Sequence, residues 1–191
     1  MAKTWTINVL VNTRYIEEKI DGSGTWEEPV GAKKLLEKNV QMTAISDHVS
    51  DGIKTGTGDK FSLEVHPRDT IRWIVDQVNP LDEESRGVCM YGFKTGANWD
   101  SILTPLNARV QEADFVAMTK GFNDKSRTGA RLRLETADIS VPETTVRKNA
   151  KTGTVKYYMK ILLLDTSKTE PEIMKYVQVD PEIHVTPLSQ S

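Results

Sequence analysis

Few residues in this chain could do chemistry, and their spacing argues against most of the chemistry available. There are three histidines, His48, His66 and His184, and one cysteine, Cys89. No two histidines stand at the short H-x-H or H-x₃-H spacings that set two imidazoles on one metal ion. A blue-copper site would need a histidine close to Cys89-Met90, but the next one along the chain is His184. A Cys-His nucleophile pair needs only proximity in space. Cys89, however, lies inside "GVCMYGF", a buried-strand pattern that reads as an inert thiol. "GTGDKF" and "KTGTVK" contain turn glycines but no phosphate-binding loop, and there is no G-x-S-x-G elbow. The acidic stretches "LDEES" and "TWEE" select no carboxylate pair for glycoside hydrolysis, and "DEES" lacks the spacing of a calcium loop. The expectation is a non-enzyme with no catalytic residue, no metal and no cofactor.

The aromatic residues offer more. Trp5 and Trp73 fall in strand patterns and read as core. Trp26 and Trp99 fall in polar loops, "GTWEEP" and "GANWDS". A loop tryptophan beside an amide and an acid is what a sugar site uses: the ring stacks on the apolar sugar face and the polar groups bond its hydroxyls. Asn98, Trp99 and Asp100 are therefore the candidate carbohydrate-binding residues. The alternative is that each loop tryptophan folds back as a plug on the end of the fold.

The elements that would carry these residues are mostly strands. Apolar and polar residues alternate in "TWTINVLVN", "KFSLEVH" and "YVQVDPEIHV", the signature of a strand with one wet and one buried face. "RWIV" (72–75), "VCMYGF" (88–93) and "YYMKILLL" (157–164) are apolar on both faces and read as central or doubly covered strands. "VQMTAI" (40–45), "DFVAMT" (114–119) and "ARLRLE" (130–135) complete a set of about nine. Gly, Pro, Asp and Asn punctuate the gaps. Helical signal is confined to one or two short turns, at 13–20 with Thr13 as cap and at 31–39. The pattern predicts an all-β fold: a single-domain antiparallel β-sandwich, jelly-roll-like, over 1–191.

The run from Val155 to Leu164 poses a question of its own. Its second apolar face needs a cover, and another subunit could provide it. Leu162 and Leu164 are therefore the candidate self-association residues of a homo-oligomer.

Composition excludes other classes. The chain has 191 residues, 27% of them charged, with a formal net charge of −2. Nucleic-acid binders carry a basic stripe. The nearest approach is Arg131 and Arg133 on one face of a strand, which reads as solvated surface. No apolar run reaches the roughly 18 residues of a membrane span. "MAKTWTINVLVN" reads as a strand, not a signal peptide. A lone cysteine fits a reducing cytoplasm.

Taken in order, these motifs resemble the PixA/AidA inclusion-body protein family of bacteria. "INVLVNTRYI" (7–16) looks like that family's opening strand and turn. "GTGDKFSLEVHPRDTIRWIV" (56–75) resembles its next strand–turn–strand, with Pro67-Arg68 where the family usually has a glycine. "VCMYGFK" (88–94) is similar to its following strand. "YYMKILLLD…YVQVDPEIHV" resembles its closing hairpin, with Val179 in place of a tryptophan. The resemblance spans Ile7 to Val185 and is weakest over 95–150. It implies a β-sandwich that accumulates in the bacterial cytoplasm, in some members as inclusions, with no catalytic residue to carry over. The expected function is self-association in a storage, stress or host-interaction role. Carbohydrate binding is the alternative.

Overall fold

The computed structural model describes residues 1–31, 34–78, 85–120 and 131–186. The predicted loop "LDEES" lies almost wholly outside them. Alternation sets the first strand, β1 (Thr4–Val11), with Trp5, Ile7, Val9 and Val11 buried. It pairs antiparallel with β2 (Val40–Ser46), which pairs in turn with β3 (Ile53–Thr57). On its other side β1 pairs with β5 (Thr70–Gln77), and this pair is parallel. The first sheet then continues to β8 (Arg131–Thr145) and β7 (Asn107–Lys120). In the second sheet, β9 (Gly153–Asp165) is flanked on one side by β6 (Arg86–Thr95). On its other side β10 (Glu172–Val179) and β11 (Glu182–Val185) follow one another along the strand. Beside β11 lies β4 (Ser62–Val65), again in parallel.

Two corrections follow. The fold is all-β, but each sheet is mixed instead of antiparallel. A period-two pattern reports which face is buried, not which way a neighbour runs. The strands number eleven among the described residues, not about nine. β3 went unpredicted because it has no buried face. The closing run divides at Asp180-Pro181, where proline has no N–H for the ladder.

One hydrophobic cluster draws on the inner faces of both sheets. At its centre, Trp73 Nε1 on β5 donates to Tyr157 Oη on β9 at 3.0 Å. Phe93 and Trp99 pack against Tyr157 with ring centroids 5.7 and 5.9 Å away. Among the described residues three short α-helices close the margins: α1 (Thr13–Lys19), α2 (Lys34–Glu37) and α3 (Trp99–Ile102). The cap of α1 is Asn12, not Thr13. Its side chain accepts from the Tyr15 amide at 3.2 Å and donates to Asn39 Oδ1 at 3.1 Å. The buried ammonium of Lys175, on β10, bonds the carbonyls of Ile16, Glu17 and Ile20 at the far end of α1. In the turn before β5, Arg68 takes a φ of 78°, the left-handed conformation for which glycine is suited.

Buried Glu37 on α2 packs against Gly58 and lies near Asp180. Burial, and then the Asp180 carboxyl, push its pKa up to about 8. Two ionised carboxylates cannot bond each other, so a proton on Glu37 supplies the missing donor. A carboxyl raised this way contributes stability below its ordinary value of 4.5. That contribution is lost as pH rises through about 8. The melting temperature should therefore decline from pH 5 to pH 8, and Glu37→Gln should flatten the decline. Parallel melting-temperature curves for the two proteins would refute this assignment.

Candidate functional site

The predicted sugar site does not form as predicted. Residues Asn98 to Ser101 start α3, which turns the Trp99 side chain inward. Trp99 is 1% exposed, and its Nε1 donates to the Thr104 carbonyl at 3.2 Å. Its ring closes the end of the core beside Phe93 and Tyr157, so no face is left to stack on a sugar. Asn98 and Asp100 remain at the surface. Asn98 lines a shallow cleft with Ser101, Asn149 and Lys151, and donates to the Thr154 carbonyl at 3.4 Å. The Asp100 carbonyl accepts from Arg147 at 2.8 Å. These contacts tie the loop down.

Two of the histidines have a structural partner for the ring. His66 Nδ1 lies 2.8 Å from the Thr186 carbonyl, and His184 Nδ1 lies 2.8 Å from Thr154 Oγ1. Among the described residues no three His, Cys, Asp or Glu side chains gather as metal ligands. Cys89 is half-buried, and burial pushes its thiol pKa up, away from the thiolate a nucleophile needs. Arg133 pairs with Glu135 at 2.7 Å on an exposed strand face, as a solvated face would.

The second face of β9 is partly covered by the chain itself. Tyr176 and Gln178 on β10 exchange backbone bonds with Ser23 and Val30, so the loop lies along the edge of β10. The loop carries Trp26 onto the sheet, with its ring centroid 4.5 Å from that of Tyr91 and 6.5 Å from that of Tyr176. Tyr91 Oη and Lys160 Nζ both donate to the Trp26 carbonyl, at 3.3 and 3.4 Å. Further along the same strand, Leu162 is only 9% exposed and Leu164 is half-buried. They present a small apolar surface.

The larger exposed apolar surface is elsewhere, on strands read only as short candidates. β8 pairs with β5 solely through Glu143, Thr144 and Thr145. Among the described residues, its ladder partner from Pro142 back to Arg131 is β7. The result is a two-stranded ribbon that runs on past the sheet. Val116 and Leu134 are directly opposed on one face, with Leu132 beside them, and are 65, 62 and 67% exposed. Phe115, on the other face, is also exposed. Where the ribbon parts from β5, a cleft of about 430 Å³ opens, lined by Val75, Val88, Cys89, Met90, Val110 and Ile139 among others. Neither feature was predicted. The sequence showed the ribbon's strands only in part, as "DFVAMT" and "ARLRLE", and not that they run on past the sheet with both faces exposed.

No family model matches the chain, and no curated protein sequence matches it. Its two-sheet architecture is that of a solved bacterial inclusion body protein. That structure is the crystal structure of the inclusion body protein PixA from Burkholderia cenocepacia J2315. The likeness covers 97% of each chain with a TM-score of 0.64, at 12% identity, and shows a shared fold. No helix among the described residues is long and apolar enough to cross a membrane.

Trp99→Ala tests the plug directly. Removing a fully buried tryptophan should cost about 3–5 kcal/mol, read from chemical denaturation. Retention of wild-type stability would return Trp99 to the surface and reopen the sugar site.

Proposed function

We propose that this chain is a non-enzymatic, self-associating protein of the inclusion-body type, working in the bacterial cytoplasm in a storage, stress or host-interaction role. The observation that carries the proposal is the apolar surface of the β7–β8 ribbon, with three large aliphatic side chains more than 60% exposed on one face. A patch of this kind, on an element with little structural support, marks an association surface. The fold shared with a protein described as an inclusion body protein supports the same reading. The outer face of β9 at Leu162 and Leu164 is a smaller contact region in this proposal, because Leu162 is already buried within the chain.

Carbohydrate binding is the second reading, and one observation favours it. The Trp26 ring is half exposed and lies beside Tyr91 and Tyr176. It ranks second because Trp26 already serves as the cover of the sheet. A glycan array with the Trp26→Ala variant alongside is its test. Binding lost in the variant would promote it, and an array without signal would remove it.

The lead reading predicts that the purified chain sediments as a dimer or larger species at micromolar concentration. It also predicts that expression in a bacterial cytoplasm yields dense bodies of folded protein. A strict monomer at every concentration tested would overturn it.

A further inference from the structure

We infer that Glu37 and Asp180 form a binding site for a hard divalent cation, of the calcium or magnesium class, which clips α2 to the junction of β10 and β11. This goes beyond self-association and does not depend on it.

The first ground is a set of orphaned oxygens. Glu37 is 5% exposed, and neither of its carboxylate oxygens has a hydrogen-bond partner. Oδ1 of Asp180 is also buried without one. Buried polar atoms in native chains are nearly all partnered, and those that are not call for a water or an ion. A proton on Glu37, the occupant in the ion-free chain, answers only part of this. A protonated carboxyl is a single donor. Its bond to Asp180 accounts for two of the three oxygens and leaves the other Glu37 oxygen orphaned. A cation can take lone pairs from all three.

The second ground is charge. The Asp59 carboxylate also acts on Glu37, so three carboxyl groups set a negative potential at this place. Among the described residues no lysine, arginine or histidine forms an ion pair with Glu37, Asp59 or Asp180. Lys156 feels Asp180, but it is exposed and paired with Glu182 at 2.9 Å. Like charges held together out of water oppose each other's ionisation, and a bound cation reverses that.

The third ground is the cradle. Glu37 is held against Gly58, where a Cβ would collide with Glu37 Oε2. Asp180 stands between the end of β10 and the start of β11, before Pro181. The fold itself thus brings together donors from segments distant in sequence. All three donors are oxygen. Zinc and copper sites favour imidazole or thiolate. Calcium and magnesium take carboxylate oxygens, and magnesium usually keeps several waters in its shell, so two carboxylates suffice.

The test is thermal unfolding of the purified, chelator-treated full chain at pH 8.5 with calcium, magnesium or zinc chloride, beside Glu37→Gln and Asp180→Asn. Calcium or magnesium should raise the wild-type melting temperature by about 5–10 °C at a hundredfold excess over Kd. Both variants keep the shape of the side chain and should lose the rise. Calorimetric titration of the wild type needs no variant and should fit one site per chain. If neither ion raises the wild-type melting temperature and calorimetry finds no binding, the inference fails and the proton alone occupies the pair. A rise that persists in either variant places the ion elsewhere and overturns it too. A rise with zinc alone overturns the oxygen-ligand class. Self-association, read by sedimentation, stands or falls separately.

Discussion

The hydrogen bond from Trp73 to Tyr157 is the contact on which the two sheets register. β5 and β9 are each flanked on both sides by other strands, so this bond joins the sheets at their middles. Two buried polar groups satisfy each other there, and burial pushes the tyrosine pKa up, keeping it a neutral phenol. The net gain of such a bond is about 1 kcal/mol. Burying an aromatic side chain removes about 150–250 Å² from water, worth roughly 4–6 kcal/mol at 25 cal/mol per Å². Hydrophobic burial of Trp73, Phe93, Trp99 and Tyr157 therefore supplies the energy. The hydrogen bond supplies selectivity, because any slip of one sheet over the other leaves an indole N–H and a phenol without partners.

From that centre outward, the remaining structure is a matter of closing edges. The loop at Ser23–Val30 lies along β10 and donates and accepts in its place. α3 and Trp99 plug one end of the core, and α1 is held at the other margin by Asn12 and Lys175. β3 is a short outer strand, which limits what it can template. The ribbon is the exception. It runs on past the strands it pairs with, and it carries exposed aliphatic side chains among its charged ones.

What could be read from sequence divides along the same physical line. β1, β4 and the closing run were legible because one face is buried and the other wet, and that asymmetry writes a period of two. β9 was legible as doubly covered from its apolar run, but its cover was not. Trp26 is more than a hundred residues away in sequence, and nothing local ties it to Tyr91. Trp99 was misleading as a sugar ligand because its neighbours Asn98 and Asp100 are polar, while the one-turn helix that rotates it inward leaves no periodic trace. The parallel pairings of β1 with β5 and of β4 with β11 depend on chain routing, which alternation does not encode. The family-like motifs pointed to the right fold because turns and strand ends at fixed order are themselves architectural statements. The ribbon was cut short in the reading because strands with two wet faces resemble ordinary surface.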